Sequence, residues 1–244
     1  MRLFPAIILL SVQSVAFAVC PDSTSAATTI TMPDSVMAAQ PDSLPRQILH
    51  LTEEDYREVA EELGVEVAAI KAVVEIEAGR HHKGFHSWGQ PLINFDLSMF
   101  RQYAKRNGIN LSRYSATHRE IFSRPNTSKY GSRQAAQQAR LKKAMDIDYR
   151  TAVQGTFWGM FQIGGFNWKL CGCKSIEDFV HKMSLSEREQ LELFARFIKN
   201  TGMDKYLRRK NWSAFALRYN GKSYASRGYH TRLASAYRKH NSKK

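Results

Sequence analysis

The sequence predicts an all-α fold, mostly helical, with at most a small β-hairpin. Apolar side chains recur at helical spacing, most clearly Val67, Ile70, Val73 and Val74. Helix starts are marked by Thr52-Glu53-Glu54-Asp55 and Ser186-Glu187-Arg188-Glu189, each a hydroxyl followed three residues later by an acid. With 244 residues and 43% hydrophobic content the chain can bury one full core, which excludes fibrous and wholly disordered classes.

The folded part begins near residue 52. Before it, Arg2, an apolar run from Leu3 to Val19 and the small-x-small ending Ala16-Phe17-Ala18 read as an export signal over residues 1–18, too short for a good membrane span. This places the mature protein in the periplasm or outside the cell. Acylation at Cys20 is the lesser reading, because Phe17-Ala18-Val19 matches a lipoprotein signal poorly. Residues 19–51 hold Pro21, Pro33, Pro41 and Pro45 among Ser, Thr and Ala, a composition that cannot bury a core and suits a flexible linker. No internal repeat interrupts residues 52–244, so they read as one domain.

Within that domain, helices are expected over residues 54–63 and 65–79. The stretch 79–95, with Gly84, Gly89 and Pro91, reads as a loop or short hairpin crossing in front of the second helix. Further helices follow at 97–107 and 133–145, after a polar irregular region from 108 to 130. The capped helix at 186 ends near Gly202, and short helices lie around Trp212 and over 229–238.

Glu77 continues the stripe of Val67, Ile70, Val73 and Val74. A carboxyl there is either paired with an arginine from elsewhere or sits at the edge of a cleft with its pKa raised. Glu75, four residues after Lys71 on the opposite face, reads as ordinary solvated charge. A second stretch, residues 152–170, crowds Phe157, Trp158, Phe161, Phe166 and Trp168 among glycines, with Gln162 and Asn167 as neutral polar groups. Such a mixture suits a sugar-binding cleft, or simply a tightly packed buried helix. A third places Tyr219 and Asn220 at the end of a short helix. His81, His82 and His86 lack an acid or thiol nearby, so no metal is expected. Cys171 and Cys173 are too close for an unstrained bridge, which leaves the pairing of three cysteines open.

Together, Val74-Glu75-Ile76-Glu77-Ala78-Gly79, Gly84-Phe85 through Pro91 to Phe95-Asp96, Trp158-Gly159-Met160-Phe161-Gln162-Ile163, Gly165-Phe166-Asn167, Leu170-Cys171-Gly172 and Tyr219-Asn220-Gly221 resemble the N-acetylmuramidase family of phage endolysins and exported bacterial proteins. That family is part of the wider lysozyme-like group. The resemblance covers residues 65–237. It implies a lysozyme-like fold, no cofactor, and cleavage of the β-1,4 link between N-acetylmuramic acid and N-acetylglucosamine in peptidoglycan. It puts the motif glutamate on Glu77 and makes Asp96 a candidate second carboxylate, with a structural or substrate-orienting role as the alternative. Asp96 stands where the family usually has glutamate, and Leu97 and Ser98 replace an arginine and histidine that often follow. Trp158, Phe161, Gln162, Asn167, Tyr219 and Asn220 are then the candidate substrate-binding residues. If Asp96 plays no part in the chemistry, a lytic transglycosylase is the alternative. A non-catalytic glycan-binding module is another.

Charge agrees with an anionic target. Residues 201–244 carry twelve Lys and Arg against the single acid Asp204, or +11 of the chain's +14, and read as a basic tail suited to an anionic cell envelope. Nucleic acid is the rival for so basic a chain, but the export signal and the lack of a nucleic-acid motif argue against it. A monomer is expected.

Overall fold

A computed structural model describes residues 50–78 and 83–242. The export signal, nearly all of the linker, Cys20, His81 and His82 lie outside the described residues.

Helix α1 (Glu53–Leu63) starts where the sequence says it should. Thr52 Oγ1 accepts from the Asp55 backbone N–H, and Asp55 Oδ2 accepts from that of Thr52 at 2.6 Å. After a left-handed turn at Gly64, with φ of 61°, comes α2 (Val67–Glu77). Ala68, Ala69 and Ala72 are buried along with Ile70, Val73 and Val74, so α2 is covered on several sides and not only along the expected stripe. The cover comes from α1 and from α12 (Tyr229–Asn241), the helix furthest downstream. Glu75 is consequently not a solvated partner of Lys71. It accepts from Lys239 Nζ at 2.9 Å and His240 Nε2 at 2.8 Å on α12, while Lys71 pairs with Glu53 on α1. At the other end of α2, Glu66 binds Tyr237 of α12 and Lys210.

The β structure exceeds a single hairpin. Strands β1 (Phe85–Ser87) and β2 (Gln90–Pro91) form the expected antiparallel pair. A second, three-stranded sheet joins β3 (Ile93–Phe95), β4 (Thr156–Trp158) and β5 (Ile163–Gly164), with Ile93 opposite Trp158 and Phe157 opposite Gly164. The aromatic stretch is therefore no buried helix: aromatic residues between glycines take extended backbone in the core. The free edge of β3 is satisfied by side chains. Gln134 on α6 (Arg133–Met145) both accepts from Ile93 N and donates to Ile93 O, and Gln137 beside it donates to Asn94 Oδ1.

Helix α3 (Leu97–Arg106) follows β3. Residues 108–130, expected to be irregular, hold the short helices α4 (Arg119–Phe122) and α5 (Thr127–Tyr130). Helix α7 (Tyr149–Gln154) leads into β4, and α8 (Ile176–Leu185), which the sequence reading did not place, leads through Ser186 into α9 (Glu187–Asn200). Helices α10 (Asp204–Arg208) and α11 (Trp212–Asn220) precede α12. The basic segment is thus folded helix over most of its length, burying Leu207, Phe215, Tyr219 and Leu233. Among the described residues no helix is long and apolar enough to cross a membrane.

Two buried polar side chains of α9 hold the region in front of α2. Glu187 accepts from Gly84 N at 2.8 Å with one oxygen, and from His50 Nδ1 and Leu51 N with the other. Gln190 accepts from Met160 N at 2.9 Å and donates to Gly84 O and Met183 O. A Cβ on Gly84 or Gly159 would lie 2.5 or 2.7 Å from Gln190 Oε1, and Gly159 also has φ of 70°, so both positions need glycine.

Candidate active site

Glu77 is the last residue of α2 and keeps part of its surface open to solvent. Its carboxyl is surrounded by protein, and burial pushes its pKa up to about 7, opposed by a hydrogen bond from Asn220 and the positive charge of Arg232. Asn220 is placed by α11, whose start is capped by Asn211 Oδ1 on Ala214 N. Its Nδ2 donates to Glu77 Oε1 across 3.4 Å, a long and weak bond. Tyr219 and Tyr229 lie near enough that the charge of Glu77 helps to raise their pKa values, after burial, the larger cause in each. Of the two readings of Glu77 left open by the sequence, the raised pKa fits better. The charge of Arg232 reaches Glu77, but no ion pair joins the two.

Asp96 has a local task. As N-cap of α3 it accepts from Met99 N at 2.9 Å, and its charge acts on the buried Arg140, whose pKa burial lowers. Arg140 in turn donates to the carbonyls of Glu120 and Ile121 and lies 4.9 Å from the centre of the Phe95 ring. No hydrogen bond joins Asp96 to Glu77 or to Asn220.

The other candidates divide between core and rim. Phe161 is buried and stacks on Phe194 with ring centroids 4.3 Å apart. Tyr219 has no exposed surface, and its hydroxyl donates to Phe161 O at 2.8 Å. Trp158 is buried, its indole N–H held by Val153 O. These three aromatics pack the floor of the region and offer a sugar almost no surface, contrary to the cleft-lining role expected of them. Gln162 stays half-buried at the left-handed φ of 49° and bonds back to Gly159 O. Asn167 Nδ2 and Asn220 Oδ1 are buried without a partner among the described residues. Tyr229 and Arg232, which the sequence reading did not single out, come from α12; nothing in their local spacing separates them from the other residues of the basic segment.

His86 is exposed on β1, and no group of three metal-ligating side chains forms among the described residues. Cys171 and Cys173 are buried free thiols. A cavity of about 190 Å³ lies between β2, α6 and α8, lined by Pro91, Gln138, Leu141 and Trp158 among others, but not by Glu77, Asn220 or Arg232.

A helical scaffold presenting one proton-holding carboxyl at the edge of its core, steadied by an amide, has the equipment of a glycoside hydrolase's general acid. A family model described as Muramidase, N-acetylmuramidase, matches residues 66–241. Among solved structures, the chain is similar to the crystal structure of a Burkholderia AP3 phage endolysin. The two are 34% identical with a TM-score of 0.68, over 85% of this chain and 76% of that one. A search of curated proteins gave no match. The chain belongs to the N-acetylmuramidase family. Its activity is accordingly that of a glycoside hydrolase that cleaves peptidoglycan between N-acetylmuramic acid and N-acetylglucosamine.

Proposed function

We propose that Glu77 is the general acid of this muramidase, protonating the glycosidic oxygen as the bond to N-acetylmuramic acid breaks, with Asn220 holding the carboxyl in position. What carries the proposal is the placement of Glu77 at the end of α2, on a residue with part of its surface open to solvent, its carboxyl enclosed by protein, bonded by Asn220 and pushed by burial to a pKa of about 7. Such a group holds its proton near neutral pH and can also deliver it. Because Asn220 donates to Oε1, the proton of the neutral acid is left to Oε2, free to face a substrate. Asp96 enters the proposal as the residue that fixes the start of α3, since its hydrogen bond and its charge are directed to Met99 and Arg140. Gln162, half-buried, is the polar group of the aromatic stretch left to meet the glycan, while Asn167 is buried.

The rest of the proposal concerns where and how the enzyme works. Residues 1–18 direct export, with cleavage after Ala18 preferred over acylation of Cys20. The linker tethers a monomeric catalytic domain whose cationic helices α10, α11 and α12 favour an anionic envelope over nucleic acid.

Mass spectrometry of peptidoglycan digested by the protein and by its Glu77→Gln variant tests the assignment. Reducing N-acetylmuramic acid ends are expected from the wild type and almost none from the variant. Ends of the 1,6-anhydro type would overturn the hydrolytic step, and equal digestion by the variant would overturn the role of Glu77.

A further inference from the structure

An arginine beside a general acid works against it. Glu77 must keep its proton near neutral pH, whereas the positive charge of Arg232 favours the ionised form. Arg232 occupies the first turns of α12, its guanidinium carbon 5.5 Å from the centre of the Tyr229 ring. Arg227 immediately precedes Gly228, the N-cap of the same helix. Both arginines are exposed, and the Tyr229 hydroxyl feels them together with Glu77, so these groups share one neighbourhood.

The other cations of this part of the chain include several that already have partners. Arg208 is paired with Asp204, Lys210 with Glu66 and Lys239 with Glu75. Among the described residues Arg227 and Arg232 make no ion pair. A guanidinium near an aromatic ring and not engaged by a protein carboxylate is suited to bidentate recognition of a carboxylate from outside. The glycan that this family cleaves supplies one: each N-acetylmuramic acid carries an acidic peptide stem next to the bond that breaks.

We infer that Arg232, supported by Arg227, binds a carboxylate of the peptide stem on the muramyl residue and so selects stem-bearing glycan over neutral glycan. The inference rests on the reading of Glu77 as the acid. It also gives the unfavourable charge a use. Once a stem carboxylate neutralises the guanidinium, the field that favoured ionised Glu77 is cancelled, and the acid holds its proton better in the complex than in the free enzyme. Recognition of the stem and loading of the acid are then one event.

The test is steady-state kinetics of the full chain on soluble uncrosslinked peptidoglycan strands, with their stem carboxylates either native or converted to carboxamides. Arg232→Gln should raise KM on native strands about tenfold, equivalent to about 1.4 kcal/mol. It should change KM little on amidated strands, and Arg227→Gln should follow the same pattern more weakly. A second readout is the pH profile. On native strands the wild type should show the alkaline limb of kcat at higher pH than that of kcat/KM, because the first reports the complex and the second the free enzyme. That gap should close on amidated strands and in Arg232→Gln. Equal losses on both substrates, or none on either, would overturn the inference while leaving the acid in place. A wild type unable to cut native strands would instead overturn the reading of Glu77, and this inference with it.

Discussion

Asn220 faces Glu77 with one end of its amide only: Nδ2 donates to Oε1 across 3.4 Å, while Oδ1 is buried with no partner among the described residues. An amide so placed can steady the acid through one oxygen without competing for the proton on the other.

Glu77→Gln keeps the shape and the contact with Asn220 but has no proton to give. Turnover of purified folded protein should fall by a factor of roughly 10² to 10⁴, the usual worth of general acid catalysis. Near wild-type turnover would take the acid role away from Glu77 and place it on another group.

The pH dependence follows from the same group. With a pKa of about 7 against the ordinary 4.5, Glu77 is protonated below neutrality, and activity should decline as pH rises through about 7. For stability, the raised carboxyl favours the fold below pH 4.5. Between about 4.5 and 7 the unfolded chain ionises while the folded one does not, so stability is lost over that window. Glu77→Gln escapes this loss and should be the more stable form above pH 7, by at most about 3 kcal/mol in chemical denaturation.

Asp96 calls for two substitutions. Asp96→Asn retains a capping oxygen, so both stability and turnover should stay close to wild type. Asp96→Ala should cost about 1 kcal/mol of stability through loss of the cap on Met99 N. A deep loss of turnover in stable Asp96→Asn would reinstate Asp96 as a second catalytic carboxylate.

Tyr219→Phe removes the one side-chain hydrogen bond that the Phe161 carbonyl accepts among the described residues. The buried oxygen left behind should cost about 1 to 3 kcal/mol, visible as a lower Tm, with the activity of the remaining folded protein little changed. Wild-type stability with poor activity would put Tyr219 in the cleft after all.

Glu75→Gln should not be silent. Its hydrogen bond from Lys239 is the main cause holding the Glu75 pKa low, followed on the lowering side by that from His240. The contribution, roughly 0.5 to 1 kcal/mol for a partly buried pair, is present above the ordinary value of 4.5 and is lost as pH falls through the depressed one. Thermal melts should therefore separate Glu75→Gln from wild type at neutral pH and bring them together in acid.

Helices announced by their own residues were legible: Thr52 with Asp55, the Val67 to Val74 stripe and Ser186 all mark elements that form. Glu77 could be singled out for the same reason, since a carboxyl on an apolar stripe is anomalous within one helix. The second sheet was not legible, because β4 is completed by β3 some sixty positions earlier and the outer edge of β3 is closed by glutamines of α6. Composition marked Phe161 and Tyr219 as aromatic but could not show which way they face; only the packing against Phe194 and the bond between them does. Glu75 was misplaced because its partners sit on α12, far outside any local window.

That same packing of α12 on α2 has a consequence for how the protein comes into being. Synthesis runs from α2 toward α12, so a growing chain carries its glutamate long before the ribosome has made the helix that covers it. Until α12 emerges, α2 lacks a large part of its cover, and Tyr229 and Arg232 are absent from the neighbourhood of Glu77. Long-range closure of this kind comes late in folding. Nascent and prematurely terminated chains that stop short of α12 should therefore be inert toward peptidoglycan, which delays activity until translation has passed the last turn of that helix.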